Sequence, residues 1–498
     1  MIQLGPHSGE GLQRQVYAAV RGAILGRVLG PGTRVPSSRE LADDLRVSRT
    51  TTLLAYAQLI AEGYLYTRRG SGTFVAADLP DELPQQTPRR LPARSKHPRV
   101  SRRGAALAGT PWPSQRVGGP TCPFRLGAPA LDRFPLRLWS QLVNRRMRSM
   151  SRRQLDYSDP AGCLELRKAI VEHLQAARGT ACVADQVIVV AGAQRGLQMI
   201  CTALLDPGDR VWLEDPGYSG ARSALTQAGA RIVPVRVDDQ GLDVAAGTHR
   251  APKARMAYVT PSNQFPLGVP MSLMRRLTLL NWAASEGAWI VEDDYDSEFR
   301  FTTRPLQSLH GLDVDGRVIY VGTFSKSVFP ALRLGFVIVP ADLSDHFCAA
   351  RHAGDVHPPL LEQLALADFI RGGHYATHLR RMRGVYRERA EALTAAAAEV
   401  GHGALRLRPI QSGLHAIADL DGVDEERVSE AARERGIEVE PLGRYYLGRR
   451  TENALVLGFG STPPDALRRG MERLAAAIDA ARRPVSQQPA RAAGGGRR

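Results

Sequence analysis

Seven short apolar runs, each followed by a helical stretch, constrain this chain more than any other feature. They lie at 187–190, 210–213, 231–235, 256–259, 289–292, 318–321 and 335–339. Parallel strands need crossover segments between them, and strands covered on both faces read as continuous apolar runs. The alternation therefore predicts an α/β domain with a mostly parallel sheet over residues 123–480. Sheets of this kind bind ligands beyond the carboxyl ends of their strands. The residues that follow each run are accordingly the ones to read for chemistry.

At 498 residues the chain is too long for one core. Residues 10–76 form a second compact pattern. Helix one is expected over 12–27, apolar at Val16, Ala19, Val20 and Ala23. After the Gly30-Pro31-Gly32 break, PSSRELADDL (36–45) gives a helix capped by Ser37 or Ser38, with Glu40 near the capping-box position. Arg46-Val47 makes a short turn, and Ser48 caps a third helix expected over 48–65. Two capped helices at this separation make a helix-turn-helix, and the second carries Arg49, Thr50, Thr51 and Thr52 in its first turn. YLYTRRGSGTFVA (64–76) follows as a hairpin turning at Gly70-Ser71-Gly72, with Arg68 and Arg69 beside the turn.

Charge separates these regions. Residues 1–122 hold 17 Lys and Arg against 8 Asp and Glu, a net +9 of the chain's +16. The tail 481–498 has five arginines and no acid, and the body between carries only +2. A basic N-terminal block beside a near-neutral body fits a nucleic-acid partner for that block. Residues 77–122, rich in proline and with eight basic residues and no acid after Glu82, predict an extended linker. The tail predicts disorder. Five scattered cysteines support neither a disulfide framework nor a metal site. No apolar run approaches the roughly 18 residues of a membrane span, and the N-terminus lacks a signal pattern. A soluble, cytoplasmic protein is expected, associated with the nucleoid when bound to DNA.

The chemistry-bearing segments follow the apolar runs. VIYVGTFSKSVFPALRLGFVIVP (318–340) takes a strand into a small-residue turn, then Lys326 and Arg333. A lysine amine suits condensation with a carbonyl, and the hydroxyls of Thr323 and Ser325 with the fixed cation of Arg333 suit a phosphate. WIVEDDYDSEFR (289–300) is an apolar strand closed by acids at Asp293, with Tyr295 two residues on. AYVTPSNQFPLG (257–268) brings Asn263 or Gln264 to the end of another strand. In VVAGAQRGLQMICTALL (189–205), a helix N-terminus at Ala193 and Gln194 offers backbone N–H groups to a phosphate. EDPGYSGA (214–221) places Tyr218 after a further strand. Alone, each segment reads as a surface lysine, an acidic loop or an ordinary turn; their combination carries the weight.

In this order the motifs of 123–480 resemble the fold-type-I aminotransferases that use pyridoxal 5'-phosphate (PLP). PGTRVPSSRELADDLRVSRTT and EGYLYTRRGSGTFV resemble the winged helix of GntR-type regulators. The fusion of the two is similar to the MocR-type regulators, as are EDDYDSEF and GTFSKS. This resemblance implies that Lys326 is the catalytic-position lysine and binds PLP as a Schiff base. Asp293 would keep the pyridine nitrogen protonated, and Tyr295 with Asn263 or Gln264 would reach the 3'-oxygen. Tyr218 would stack on the ring, while Ala193, Gln194, Thr323, Ser325 and Arg333 would hold the phosphate. LDYSDPAGCLELRKAI (155–170) implies that Tyr157 reaches the phosphate of a neighbouring subunit, and hence a homodimer. Arg39, Arg49 and Thr51 are the expected DNA contacts, with Arg34 and Gly72 behind them.

One position departs from the resemblance. Aminotransferases bind the substrate carboxylate with an arginine on a late strand, here ENALVLGFGS (452–461), where the matching residue is Val456. A valine cannot make the bidentate pair. Arg444 is the nearest alternative for an effector carboxylate. The turn is also often histidine in this group where the chain has Asn263. The expected function is a DNA-binding transcriptional regulator that binds PLP and operator DNA and responds to an amino compound or to PLP itself. The alternative is a PLP-dependent aminotransferase that retains turnover, in full or as a half-reaction.

Overall fold

The computed structural model describes residues 11–80, 100–109, 122–301, 307–400, 403 and 405–482. The chain divides into two compact units, residues 1–99 and 100–498. Most of the expected linker and tail lie outside the described residues.

The first unit contains helices Leu12–Leu25, Ser38–Leu45 and Arg49–Ala61 and an antiparallel hairpin of Leu65–Arg68 with Gly72–Val75. Val16, Val20 and Ile24 from the first helix meet Leu41, Ala55, Leu59 and Val75 in one core. Ser37 caps the second helix and forms a reciprocal box with Glu40. Ser48 caps the third by accepting from Thr51 N. The third helix ends at Ala61, short of the expected 65. Gly63 turns into the left-handed region (φ 84°), and Tyr64 and Leu65 then enter the core instead of continuing the helical face.

In the second unit eight strands form one mixed sheet. Five adjacent strands run parallel, in the order Val318–Thr323, Trp289–Asp294, Met256–Val259, Arg210–Asp215 and Arg231–Asp238. Gly335–Ile338 lies antiparallel between Val318–Thr323 and Val187–Val190. The short Gly241–Leu242 closes the far edge, antiparallel to Arg231–Asp238. Alternate residues face opposite cores: Val187, Val189, Tyr320 and Phe336 on one side, Ile188, Val190, Ile319 and Val337 on the other. A smaller antiparallel sheet (Leu405–Leu407, His415–Leu420, Ala454–Gly458, Glu440–Pro441) is backed by helices His374–Val400, Glu425–Glu434 and Pro464–Arg482.

The linker and the tail also differ from expectation. Arg102–Ala108, inside the segment expected to be extended, is a helix capped by Ser101. It lies against helix Ser219–Ala228, with Arg103 donating to Gln227 O at 3.4 Å. None of its residues is buried and only Leu107 is partly covered, so its place rests on a few surface contacts rather than on a core of its own. Helix Pro464–Arg482 also runs two residues past the expected start of the tail. Among the described residues no His/Cys/Asp/Glu cluster could hold a metal, and no helix is long and apolar enough to cross a membrane.

Candidate functional site

The sheet register assembles the site at the carboxyl ends of the parallel strands. Val190, Gly335 and Thr323 sit side by side across three strands. The turn at 191–193 and the turn carrying Lys326 therefore share one edge. Arg333, itself left-handed (φ 51°), donates from Nη2 to Ala191 O at 3.1 Å. Gly192 caps helix Ala193–Leu204 with φ 85° and no side-chain cap. A Cβ on Gly192 would lie 2.9 Å from Arg333 Nη2, so glycine is what allows the guanidinium to approach the helix N-terminus. Gln194 Nε2 donates to Gly220 O, and Ser325 N donates to Thr323 Oγ1.

Lys326 is half-buried, and its Nζ donates to Gly127 O at 2.6 Å. Gly127 is left-handed (φ 72°), and a Cβ there would fall 2.7 Å from that Nζ. Burial pushes the Lys326 amine below its usual range, opposed by Asp296 and Asp293. Asp293 is buried on strand Trp289–Asp294. Its Oδ2 accepts from Tyr258 OH at 2.7 Å, while Oδ1 is buried and accepts no hydrogen bond among the described residues. Burial raises this carboxyl to about 6, with Tyr258 and Lys326 pulling down and Asp294 pushing up.

Asn263 and Gln264 separate in the structure. Asn263 Nδ2 donates to Tyr295 OH at 3.1 Å and to Asp296 Oδ2 at 2.9 Å, and its Oδ1 accepts from Ser412 Oγ at 3.1 Å. Tyr295 OH in turn donates to Asn263 O. Gln264 turns the other way, to Glu214, Pro216 O and Phe265 O. Tyr218 stands edge to face with Phe265. Tyr157 is 83% exposed, beside His357 and outside this cluster.

The residues present fit PLP. A buried carboxylate oxygen without a donor suits a protonated ring nitrogen, and a half-buried amine suits an aldehyde. The glycine-built cradle of helix N-terminus and guanidinium suits a phosphate.

Arg444 corrects an expectation. Its Nε and Nη2 pair with both oxygens of Glu426 at 3.0 and 2.7 Å, and Nη1 pairs with Glu440 at 3.0 Å. The fork that a ligand carboxylate would need is already engaged, so Arg444 is a structural ion-pair residue. Val456 is fully buried on strand Ala454–Gly458 of the small sheet.

In the first unit Arg34, Arg39 and Arg49 are exposed. Thr51 is half-buried, its hydroxyl 2.8 Å from Ser48 Oγ. Gly72, at φ 115°, would put a Cβ 2.9 Å from Arg34 Nε, so hairpin and arginine are packed together. Thr52 OH donates to Ser38 O at 2.7 Å and Tyr56 OH to Pro36 O at 2.9 Å, fixing the third helix against the second.

Sequence reasoning missed Gly127, Tyr258, Asp296 and Ser412. Asp296 and Tyr258 lie inside motifs already singled out, and the same-face alternation of strand ends is the signal for Tyr258. Gly127 and Ser412 reach the site only through tertiary folding.

Residues 126–474 match the family model "Aminotransferase class I and II", and residues 12–75 match "Bacterial regulatory proteins, gntR family". The chain is 39% identical to the probable rhizopine catabolism regulatory protein MocR of Rhizobium meliloti, over 96% of each chain. It is 34% identical to the HTH-type transcriptional regulator TauR of Rhodobacter capsulatus, covering 95% of this chain and 98% of that one. The α-aminoadipate aminotransferase LysN of Thermus thermophilus, solved with N-(5'-phosphopyridoxyl)-L-leucine, superposes with a TM-score of 0.67. It is 28% identical, covering 72% of this chain and 92% of that one.

Proposed function

Because this chain belongs to the aminotransferase class I and II family and carries a gntR-family domain ahead of it, the MocR-type combination, we propose that it is a PLP-holding transcriptional regulator. It binds operator DNA through its first unit and responds to an amino compound or to PLP itself. The observation that carries the cofactor half is the buried Oδ1 of Asp293, which accepts no hydrogen bond among the described residues, within electrostatic reach of the Lys326 amine.

PLP supplies an aldehyde that condenses with primary amines and an electron-withdrawing ring. Lys326 would hold the aldehyde carbon, and Asp293 Oδ1 would accept from the ring nitrogen. Tyr295 and Asn263 are joined to each other, and together they would face the 3'-oxygen. The backbone N–H groups at Ala193 and Gln194, with Thr323, Ser325 and Arg333, would take the phosphate, and Tyr218 would lie on the ring. The exposure of Tyr157 supports its reaching a second subunit, so the functional form would be a homodimer. Arg39, Arg49 and Thr51 would contact DNA from the helix-turn-helix, with Arg34 and Gly72 at the wing.

The test pairs two variants of the full chain. Lys326→Ala should abolish the visible absorbance of lysine-linked PLP while leaving the fold intact. Arg49→Ala should keep that absorbance and weaken binding to DNA from upstream of the protein's own gene. A wild-type chain with neither property would refute the reading. Sustained keto-acid formation from an amino donor would favour the enzyme alternative.

A further inference from the structure

The lysine-bearing turn is gripped from outside the cofactor cluster. After strand Val318–Thr323, residues 324–328 make one helical turn, closed by Val328 N donating to Phe324 O at 2.8 Å. Lys326 sits inside it. Ser327 Oγ accepts from Tyr375 OH at 2.9 Å, and both residues are only 2% exposed. The Tyr375 ring also meets the Phe324 ring, at a centroid separation of 5.9 Å. One side chain therefore touches the residue two before the lysine and the residue directly after it.

Tyr375 is itself held fast. It is the second residue of helix His374–Val400, and its ring stands edge-on to His173 at 5.0 Å and to Phe369 at 6.3 Å. Burial and the Glu298 charge push its hydroxyl well above the usual tyrosine range, so it stays a donor at neutral pH. His378, one helical turn further on, hydrogen-bonds the Ser327 backbone and gives the turn a second anchor. A reacting group keeps its place when its neighbours are themselves locked by packing and hydrogen bonds.

Resting on the reading that Lys326 holds PLP, we propose that Tyr375 is a positioning residue for that lysine: its ring and hydroxyl clamp the turn on both sides of Lys326 and so fix the origin of the tether to the cofactor. The consequence is electronic. In the linked state the lysine nitrogen is double-bonded to the cofactor's carbonyl carbon. Its proton is held most tightly when that double bond lies in the ring plane and the 3'-oxygen shares the proton. A fixed tether origin restricts rotation into that plane. A loosened turn permits it, and the nitrogen then keeps its proton to higher pH. Asp296, Asp293 and His415 act electrostatically with Lys326, and Glu298, Asp294, Arg383, His173 and His378 surround Tyr375 and its turn. All of these groups stay in place when a hydroxyl of the Tyr375–Ser327 pair is removed.

The test uses the PLP-loaded full chain, cleared of unbound cofactor, and reads the pH at which the visible band of the lysine-linked cofactor fades. Tyr375→Phe and Ser327→Ala each delete one hydroxyl of the pair. Each should raise the fading pH by about half a unit, a roughly three-fold tighter hold on the proton. The double variant should move it no further than the larger single shift, since the same hydrogen bond is lost in all three. Urea midpoints are measured beside it. A fading pH that stays or falls would overturn the proposal, whatever stability the variants lose, and so would shifts that add in the double variant. Should one single variant not fold, the other decides alone. In those outcomes a visible band that disappears in Lys326→Ala leaves the cofactor reading standing. A band absent from the wild type, or one that survives Lys326→Ala, removes that reading instead.

Discussion

Asp293 shows how one buried carboxylate ties stability to ligand. Its carboxyl is raised to about 6 by burial, above the ordinary value of 3.8. The folded, cofactor-free chain therefore holds this proton more tightly than the unfolded one. Its contribution to stability is complete below the unfolded pKa and is lost as pH rises through the folded value. Urea midpoints of the cofactor-free chain should fall between about pH 4 and about pH 6 on this account, and Asp293→Asn should flatten that stretch. An unchanged slope in the variant would show that other groups control it; Glu214, raised to about 7 by burial, acts in the same direction at higher pH. Gly192 is the second telling residue. Alanine there would be strained at φ 85° and would press on Arg333. Gly192→Ala should weaken PLP retention by about ten-fold or more, read by dialysis against the wild type, while far-ultraviolet circular dichroism stays unchanged.

At the scale of elements, the capped helix pair sets the geometry of the DNA-binding unit. The Ser37–Glu40 box satisfies two backbone donors at the start of helix Ser38–Leu45. Ser37→Ala should cost about 1 kcal/mol, equivalent to roughly five-fold faster amide exchange in that helix, with the large unit unaffected. The strand ends show the converse dependence. Apolar runs revealed where Val318–Thr323 and Trp289–Asp294 lie, because strands covered on both faces cannot be polar. The small sheet was largely hidden. Leu405–Leu407 and Glu440–Pro441 are too short to show a period, and the latter contains a proline that an interior strand would exclude. Only their pairing with His415–Leu420 and Ala454–Gly458 makes them strands.

For the whole molecule, two compact units imply two separable unfolding transitions. PLP at 100 times its dissociation constant should stabilise the unit of residues 100–498 by about 2.7 kcal/mol. Calorimetry should show that transition alone moving up, and Lys326→Ala should reduce the shift. A shift shared equally by both transitions would mean that the units unfold as one. Removing residues 483–498 takes away four arginines and no acid. Binding to arbitrary duplex DNA should then weaken and depend less steeply on salt, read as the slope of log affinity against log salt. The sequence by itself determined the α/β class and the winged helix, and singled out Lys326, because periodicity, caps and turn chemistry act between near neighbours. It also put Val456 where the resemblance implies a carboxylate-binding arginine. Tertiary structure alone decided which distant groups the singled-out residues meet. Lys326 meets Gly127 O across 199 positions, Asn263 meets Ser412 across 149, and Arg444 is drawn to Glu426 and Glu440. The first two pairings depend on how segments far apart in the chain pack, which no local pattern encodes, and the third on how helix Glu425–Glu434 lies against the small sheet. Through the last of them the guanidinium fork that a ligand carboxylate would need is engaged inside the protein.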